Sequence, residues 1–176
     1  MVHQCPIENF PGYTIFYSLV SSTQLDPSLL SSVNKGEESF VVLDADMICG
    51  LNCLLVACMK ALNRKETGKK FISGNINREI AYSLSPTKNL KEALQLFLAK
   101  ETSSYVLLAS LESDAGIKSF LQQNSIREEE SMDYLAQEKP EPVKSILIKH
   151  YGLSSEEMSI YPFADLVQMG ISMKNV

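Results

Sequence analysis

The spacing of apolar side chains changes period several times along the chain, and each change marks an element. Tyr13 to Val20 is dense in β-branched and aromatic residues after the Pro11-Gly12 turn signal, the composition of a buried strand. Asp26-Pro27 then supplies a capping carboxylate and a first-turn proline, which predicts a short helix ending near Lys35-Gly36. Ser39 to Leu43 reads as a second strand. Beyond it the period lengthens to 3.6: Met47, Ile48, Leu51, Leu54, Leu55, Cys58, Met59 and Leu62 share one face. This predicts a core helix running from an Asp44 cap to about Glu66, closed by Gly68. Its other side carries Asn52, Cys53, Val56, Lys60 and Asn63, too apolar at one end for plain solvent, so it meets a second layer or a partner.

Asn75 or Asn77 opens the next helix, which passes through Ile80, Tyr82 and Leu84 and stops at Ser85-Pro86-Thr87, where proline forbids continuation. Asn89 caps an amphipathic helix bearing Leu90, Ala93, Leu94, Phe97 and Leu98. Ser104 to Leu111 is a third strand and Asp114 to Gln123 a further helix. Ser125 to Glu141 is acidic and takes no assigned form. Val143, Ile146, Leu147, His150 and Tyr151 make a helical stripe stopped by Gly152, and Ser154-x-x-Glu157 is a capping box. After Pro162 a last helix shows Phe163, Leu166, Val167, Gly170 and Ile171 on one face. Three strands among helices, without strict β-α alternation, predict an α/β (α+β) fold: one domain over residues 1–176, with a small sheet carrying helices on its faces. Further short or edge strands are expected beyond those legible here.

Composition narrows the class. With 45% hydrophobic and 21% charged residues the 176-residue chain is globular, not disordered. The charge-free run Met47 to Met59 contains Gly50 and Asn52 and is too short to cross a bilayer. No Lys or Arg precedes Lys35, unlike the basic start of a secretory or transit leader, so a soluble intracellular protein is expected. Cys49, Cys53 and Cys58 crowd one helical stretch and Cys5 stands apart. Without a C-x-x-C pair they read as reduced, buried thiols, not a disulfide framework or zinc site.

Net charge is -5, yet Lys60 to Lys91 holds eight basic residues against Glu66 and Glu79, a segment of +6 that leaves -11 elsewhere. Such a basic quarter suits a polyanion, while a solvated helix end and loop, where lysines collect anyway, is the plainer reading of charge alone. Phe71, Asn75, Asn77, Arg78 and Tyr82 interleave with its lysines, and cations with amides and flat rings can hold phosphates and unpaired bases. Catalytic constellations are missing. His3 and His150 show no partner for general-base work, Cys53 lies among Leu54, Leu55 and Val56, and no phosphate-loop, nucleophile-elbow or zinc-protease motif occurs. No cofactor or metal is expected. At the C-terminal end Met158, Tyr161, Met169 and Met173 broaden the last stripe until the helix is apolar around more than half its girth, so it is buried or docks on another protein.

The order of several short motifs resembles one family. They are Phe10-Pro11-Gly12-Tyr13, Leu55-Val56-Ala57 with Lys60-Ala61, Asn75-Ile76-Asn77-x-Glu79-Ile80, Leu84-Ser85-Pro86-Thr87, Asn89-Leu90-Lys91-Glu92-Ala93 and Tyr151-Gly152-Leu153-Ser154-Ser155. Over about residues 10–175 the chain is similar to the small kinase-binding subunit of the KEOPS (EKC) complex, the PRPK-binding protein family. The resemblance implies a mainly antiparallel central sheet and a non-catalytic subunit bound to a small atypical kinase, within an assembly that makes threonylcarbamoyladenosine in tRNA. It also implies contact with the other subunits through that kinase, a cytoplasmic and nuclear location, and the complex's links to telomere maintenance and transcription. It further implies a grip on the tRNA 3′ CCA tail, placed on Lys60, Lys69, Lys70, Asn75, Arg78 and Lys88, and kinase docking on Tyr151, Leu153, Phe163, Leu166, Val167, Gly170 and Ile171. A stand-alone RNA-binding domain is the alternative. The chain departs from the family in having Ser73-Gly74 where many eukaryotic relatives place a basic residue, and Phe97-Leu98-Ala99 in place of a Phe-Gly turn. The acidic Glu128 to Glu130 has no assigned role.

Overall fold

A computed structural model describes residues 2–129 and 131–174. Four strands, β1 (His3–Pro6), β2 (Thr14–Ser21), β3 (Val41–Asp44) and β4 (Tyr105–Ser110), form one sheet in the order β1-β2-β4-β3, and every neighbouring pair is antiparallel. Period-two alternation splits the sheet's side chains between two cores. Phe16, Val20, Val42, Val106 and Leu108 face α1 (Pro27–Val33) and α5 (Ala115–Gln123), meeting Leu30, Val33, Ile117 and Phe120. Ile15, Tyr17, Leu19, Leu43, Leu107 and Ala109 face the larger helical layer.

That layer is built on α2 (Leu51–Glu66) and α3 (Ile76–Leu84). Eight of the nine residues of α3 are buried, as befits a helix enclosed by α2, β3 and α4 (Leu90–Phe97). Asn75 caps α3 by accepting from the Arg78 amide at 2.8 Å, and Asn89 caps α4 by accepting from the Glu92 amide at 3.3 Å. The outer helices are α6 (Asp133–Ala136), α7 (Glu141–Tyr151), α8 (Ser155–Ile160) and α9 (Phe163–Met173). The Ser154/Glu157 capping box forms as its spacing indicates, and Gly152 ends α7 at φ 67°. Among the described residues no helix is long and apolar enough to cross a membrane.

Three readings change. The long helix begins at Leu51, not after Asp44. Asp44 ends β3 and accepts from the Asp46 amide at the head of a 3-10 turn over Ala45–Met47, and Gly50, at φ 101°, re-aims the chain into α2. Met47 and Ile48 are therefore buried residues of that turn and the linker after it, which fall on the helical period only by continuation. His3, which shows no partner in the sequence, pairs in β1 and stacks on Tyr17. The acidic segment acquires structure through a bridge between Val20 and Glu128 and a Glu128 carboxylate accepting from the buried Ser18 hydroxyl; Glu130 lies outside the described residues.

Candidate functional site

The basic segment divides between the two ends of α3. At its N-terminal end α2 closes on Gly68 at φ 67°, with the Lys69 amide donating to the Arg64 carbonyl and the Gly68 amide to that of Lys65, both at 3.0 Å. Lys69 and Lys70 stand exposed just beyond this closure. The loop that carries them is pinned from below by Glu79, which is 1% exposed. Its carboxylate accepts from the Ser73 amide at 2.9 Å and the Ser73 hydroxyl at 2.5 Å, and lies 3.1 Å from Arg64 Nε. Arg64 in turn donates to the Lys70 carbonyl at 2.9 Å. The sequence presented Arg64 and Glu79 as surface charges of the basic stretch; they are a buried pair that shapes its loop.

Asn75 and Arg78 sit near that loop with their polar atoms partly committed. Asn75 caps α3 through its oxygen and donates through Nδ2 to the Gly36 carbonyl at 3.0 Å. Arg78 lies across Gly36 and donates to the Lys35 carbonyl at 3.2 Å. Glycine is needed at position 36 for its φ of 82°, and the Arg78 guanidinium lies 2.9 Å from where a Cβ would stand.

Lys88 is exposed in the loop after α3, roughly one helix length, about 13 Å, from the Asn75 end. Lys60 belongs to neither group. Half-buried on α2, it donates to the Lys174 carbonyl at 2.6 Å, and desolvation lowers its pKa. Lys174 is itself buried. Its ammonium donates to the Tyr82 carbonyl at 2.6 Å and sits 3.2 Å from that ring's centroid, and burial pushes its pKa down to about 7. The cations thus fall into an exposed pair at the α2–α3 loop, Arg78 laid against Lys35 and Gly36, an exposed Lys88 beyond α3, and a Lys60–Lys174 tie that fastens the end of α9.

The proposed docking stripe is turned inward. Leu166, Val167 and Ile171 are 4%, 1% and 0% exposed, and Val167 and Ile171 pack into the large core, where α9 lies along α2. Gly170 allows Tyr151 to lie against the helix: a Cβ there would meet the ring at 2.6 Å. Tyr151 is anchored by its hydroxyl donating to the Leu84 carbonyl at 2.5 Å. Phe163 and Leu153 are half-buried against the same core. Leu166, Val167 and Ile171 therefore close the chain's own interior and present nothing to a partner. An amphipathic pattern cannot tell an intramolecular neighbour from an external one.

What α8 and α9 expose is the reverse side. Ile160, Tyr161, Met169 and Met173 are 70%, 51%, 49% and 75% exposed, and they are four of the six large apolar side chains that stand out in this way among the described residues. Tyr161, Met169 and Met173 were visible as an over-wide stripe. Ile160, the last residue of α8, lay outside that stripe.

One polar arrangement escaped the sequence. His150 Nε2 lies 2.8 Å from the Ser85 hydroxyl and Nδ1 lies 3.4 Å from Glu92, with Phe97 and Tyr151 edge-on to the ring. Ser85 and His150, 65 positions apart, gave no sequence signal for it. Ser85 is fully buried and its oxygen also accepts from the Thr87 amide at 3.2 Å, so the row ties α7 to the Ser-Pro loop and to α4. Burial lowers the His150 pKa, partly offset by Glu92. The buried thiols are held protonated: burial pushes Cys49 up to about 11 and Cys53 to about 12, and Cys58 further.

A family model described as kinase binding protein CGI-121 matches residues 16–175, from the second strand to the end of the last helix. The chain belongs to the family of kinase binding proteins described as CGI-121.

Proposed function

We propose that this protein works as the small kinase-docking subunit of a tRNA-modifying assembly of the KEOPS type: it binds a small atypical kinase through the outer side of α8 and α9 and helps hold tRNA by its 3′ end. The observation that carries the reading is the exposed set Ile160, Tyr161, Met169 and Met173 on a chain whose family is one of kinase binding proteins. Exposed flexible methionines together with a tyrosine are the composition of a docking face, since they fill a partner's irregular surface at low strain.

The tRNA part rests on the cationic loop. Exposed Lys69 and Lys70 on the loop before α3 are the cations a single-stranded tail would meet, with Arg78 on the first turn of α3 and Lys88 beyond its end following along the chain. The reading assigns no bond-making step to this chain and places it in cytoplasm and nucleus with its assembly. Affinity purification from native cells, with identification of bound protein and RNA, tests it. A small kinase and tRNA recovered together are expected, and tRNA trimmed of its CCA end should bind the purified protein more weakly than intact tRNA. Recovery of RNA without a kinase would favour the stand-alone RNA-binding alternative.

A further inference from the structure

A cavity of about 380 Å³ opens beside the docking face, between the start of α2, the linker from α6 to α7 and the first turn of α9. Its size lies within the range of small-molecule sites. Leu51, Leu135 and Phe163 give it apolar walls. Its floor holds Lys139, which is 7% exposed. The ammonium has three N–H groups and one hydrogen-bond acceptor, the Ala45 carbonyl at 3.2 Å; the Tyr134 ring lies 5.3 Å away. No carboxylate of the described residues lies within ion-pair distance of it.

The acids nearest to Lys139 are engaged elsewhere. Asp46 accepts from the Tyr134 hydroxyl at 2.5 Å and the Ser104 amide at 2.8 Å, and Asp44 pairs with Lys100 at 3.5 Å. A buried ammonium with no carboxylate in contact, drawn only at longer range by Asp44 and Asp46, is unfavourable, and it is the feature of this fold that asks for a ligand. The start of α2 adds a second source of positive potential. Its N-cap is Gly50, which brings no side chain to the first-turn amides, so the N-terminus of this 16-residue helix is uncapped where it borders the cavity. At the rim Lys144 is matched by Glu138 at 3.4 Å and Asp165 stands on the first turn of α9, so the positive potential open to an anion is that of Lys139 and the start of α2, on the side away from Asp165's carboxylate charge.

We propose that this cavity binds a small organic anion, one carboxylate or phosphate group on an apolar body, with the charge between Lys139 and the first turn of α2 and the body against Leu51, Leu135 and Phe163. The site is independent of the kinase reading. Backbone-amide NMR of the full chain, titrated separately with hexanoate, its uncharged analogue hexanamide, and inorganic phosphate, tests it. Hexanoate is expected to shift the Leu51, Asn52 and Gln137 amides saturably in the millimolar range, with hexanamide at least about tenfold weaker. Phosphate shifting the same amides at lower concentration than hexanoate identifies a phosphate headgroup as the preferred charge, and the reverse a carboxylate. Lys139→Gln should weaken hexanoate about tenfold. Ala164→Leu, which fills the mouth from an exposed position and leaves Lys139 in place, should abolish binding without unfolding the chain, so the proposal stays testable if the lysine variant does not fold. Equal binding of hexanoate and hexanamide, absence of saturable shifts with any probe, or unchanged hexanoate affinity in Ala164→Leu overturns it.

Discussion

Replacing Glu79 with Gln removes one charge from the pair beneath the α2–α3 loop and leaves the Arg64 guanidinium, in a residue only 9% exposed, without its counter-charge. Breaking one half of a buried ion pair costs about 3–5 kcal/mol, because the remaining charge stays desolvated. The Ser73 amide and hydroxyl keep an amide oxygen as acceptor in the variant, so the lower part of that range, about 3 kcal/mol, applies. With a urea m-value of about 2 kcal/mol/M, the midpoint should fall by about 1.5 M. Arg64→Met should cost a similar amount, about 3 kcal/mol, since it strands the carboxylate and frees the Lys70 carbonyl. The double variant Arg64→Met/Glu79→Leu removes both charges and leaves the Ser73 donors and the Lys70 carbonyl unpaired, a loss of about 1–2 kcal/mol. Urea unfolding of the four proteins gives the coupling directly, expected to exceed about 2 kcal/mol. Single losses below about 1 kcal/mol, or losses that add within about 0.5 kcal/mol, would refute the pair as the anchor of the loop.

The remaining expectations follow from the same geometry. His150 is held neutral by burial while the unfolded chain takes up a proton near pH 6.5; stability should therefore fall as pH drops through and below 6.5, and His150→Phe should flatten that part of a stability-pH profile. Lys69→Gln and Lys70→Gln together should lower the salt slope of tRNA binding by about 0.7 for each phosphate of the single strand that is no longer neutralised, read from affinities across a salt series; an unchanged slope moves the RNA site elsewhere. Lys60→Gln should leave that slope nearly intact while loosening the end of α9, seen as faster amide hydrogen exchange at Ile171, because its ammonium is fastened to the Lys174 carbonyl.

Much of the fold was legible because local chemistry and global packing agree there. Asp26, Asn75, Asn89 and Ser154 each cap the helix they signal, and β2 and β4 are readable from β-branched and aromatic runs. Asp44 misled because a carboxylate at the end of a strand caps a 3-10 turn as readily as an α-helix; the positive φ of Gly50 decides where the helix starts, and periodicity is blind to φ. β1 is four residues long and ends in a proline, too short to carry an alternating pattern.

The site was legible in its residue types and illegible in its geometry. A count of lysines cannot show that Lys60 serves the α9 end while Lys69 and Lys70 face solvent. A helical stripe shows which residues share a face, yet which face the core claims depends on α2, far earlier in the chain. The buried Lys139 gave no signal because a lysine beside a proline reads as a loop, and its burial comes from strands and helices distant in sequence.

The docking claim is tested most directly by measuring affinity for the small kinase with Met169→Glu/Met173→Glu beside the wild type, with Leu166→Glu as the contrast. The double variant changes only exposed side chains, so it should keep the wild-type unfolding midpoint and lose kinase binding by at least about a hundredfold, through two carboxylates placed in an apolar interface. Leu166→Glu should fail earlier, by unfolding, because its side chain lies in the core. Wild-type kinase affinity in the folded double variant would contradict the claim and place the interface on another face of the molecule.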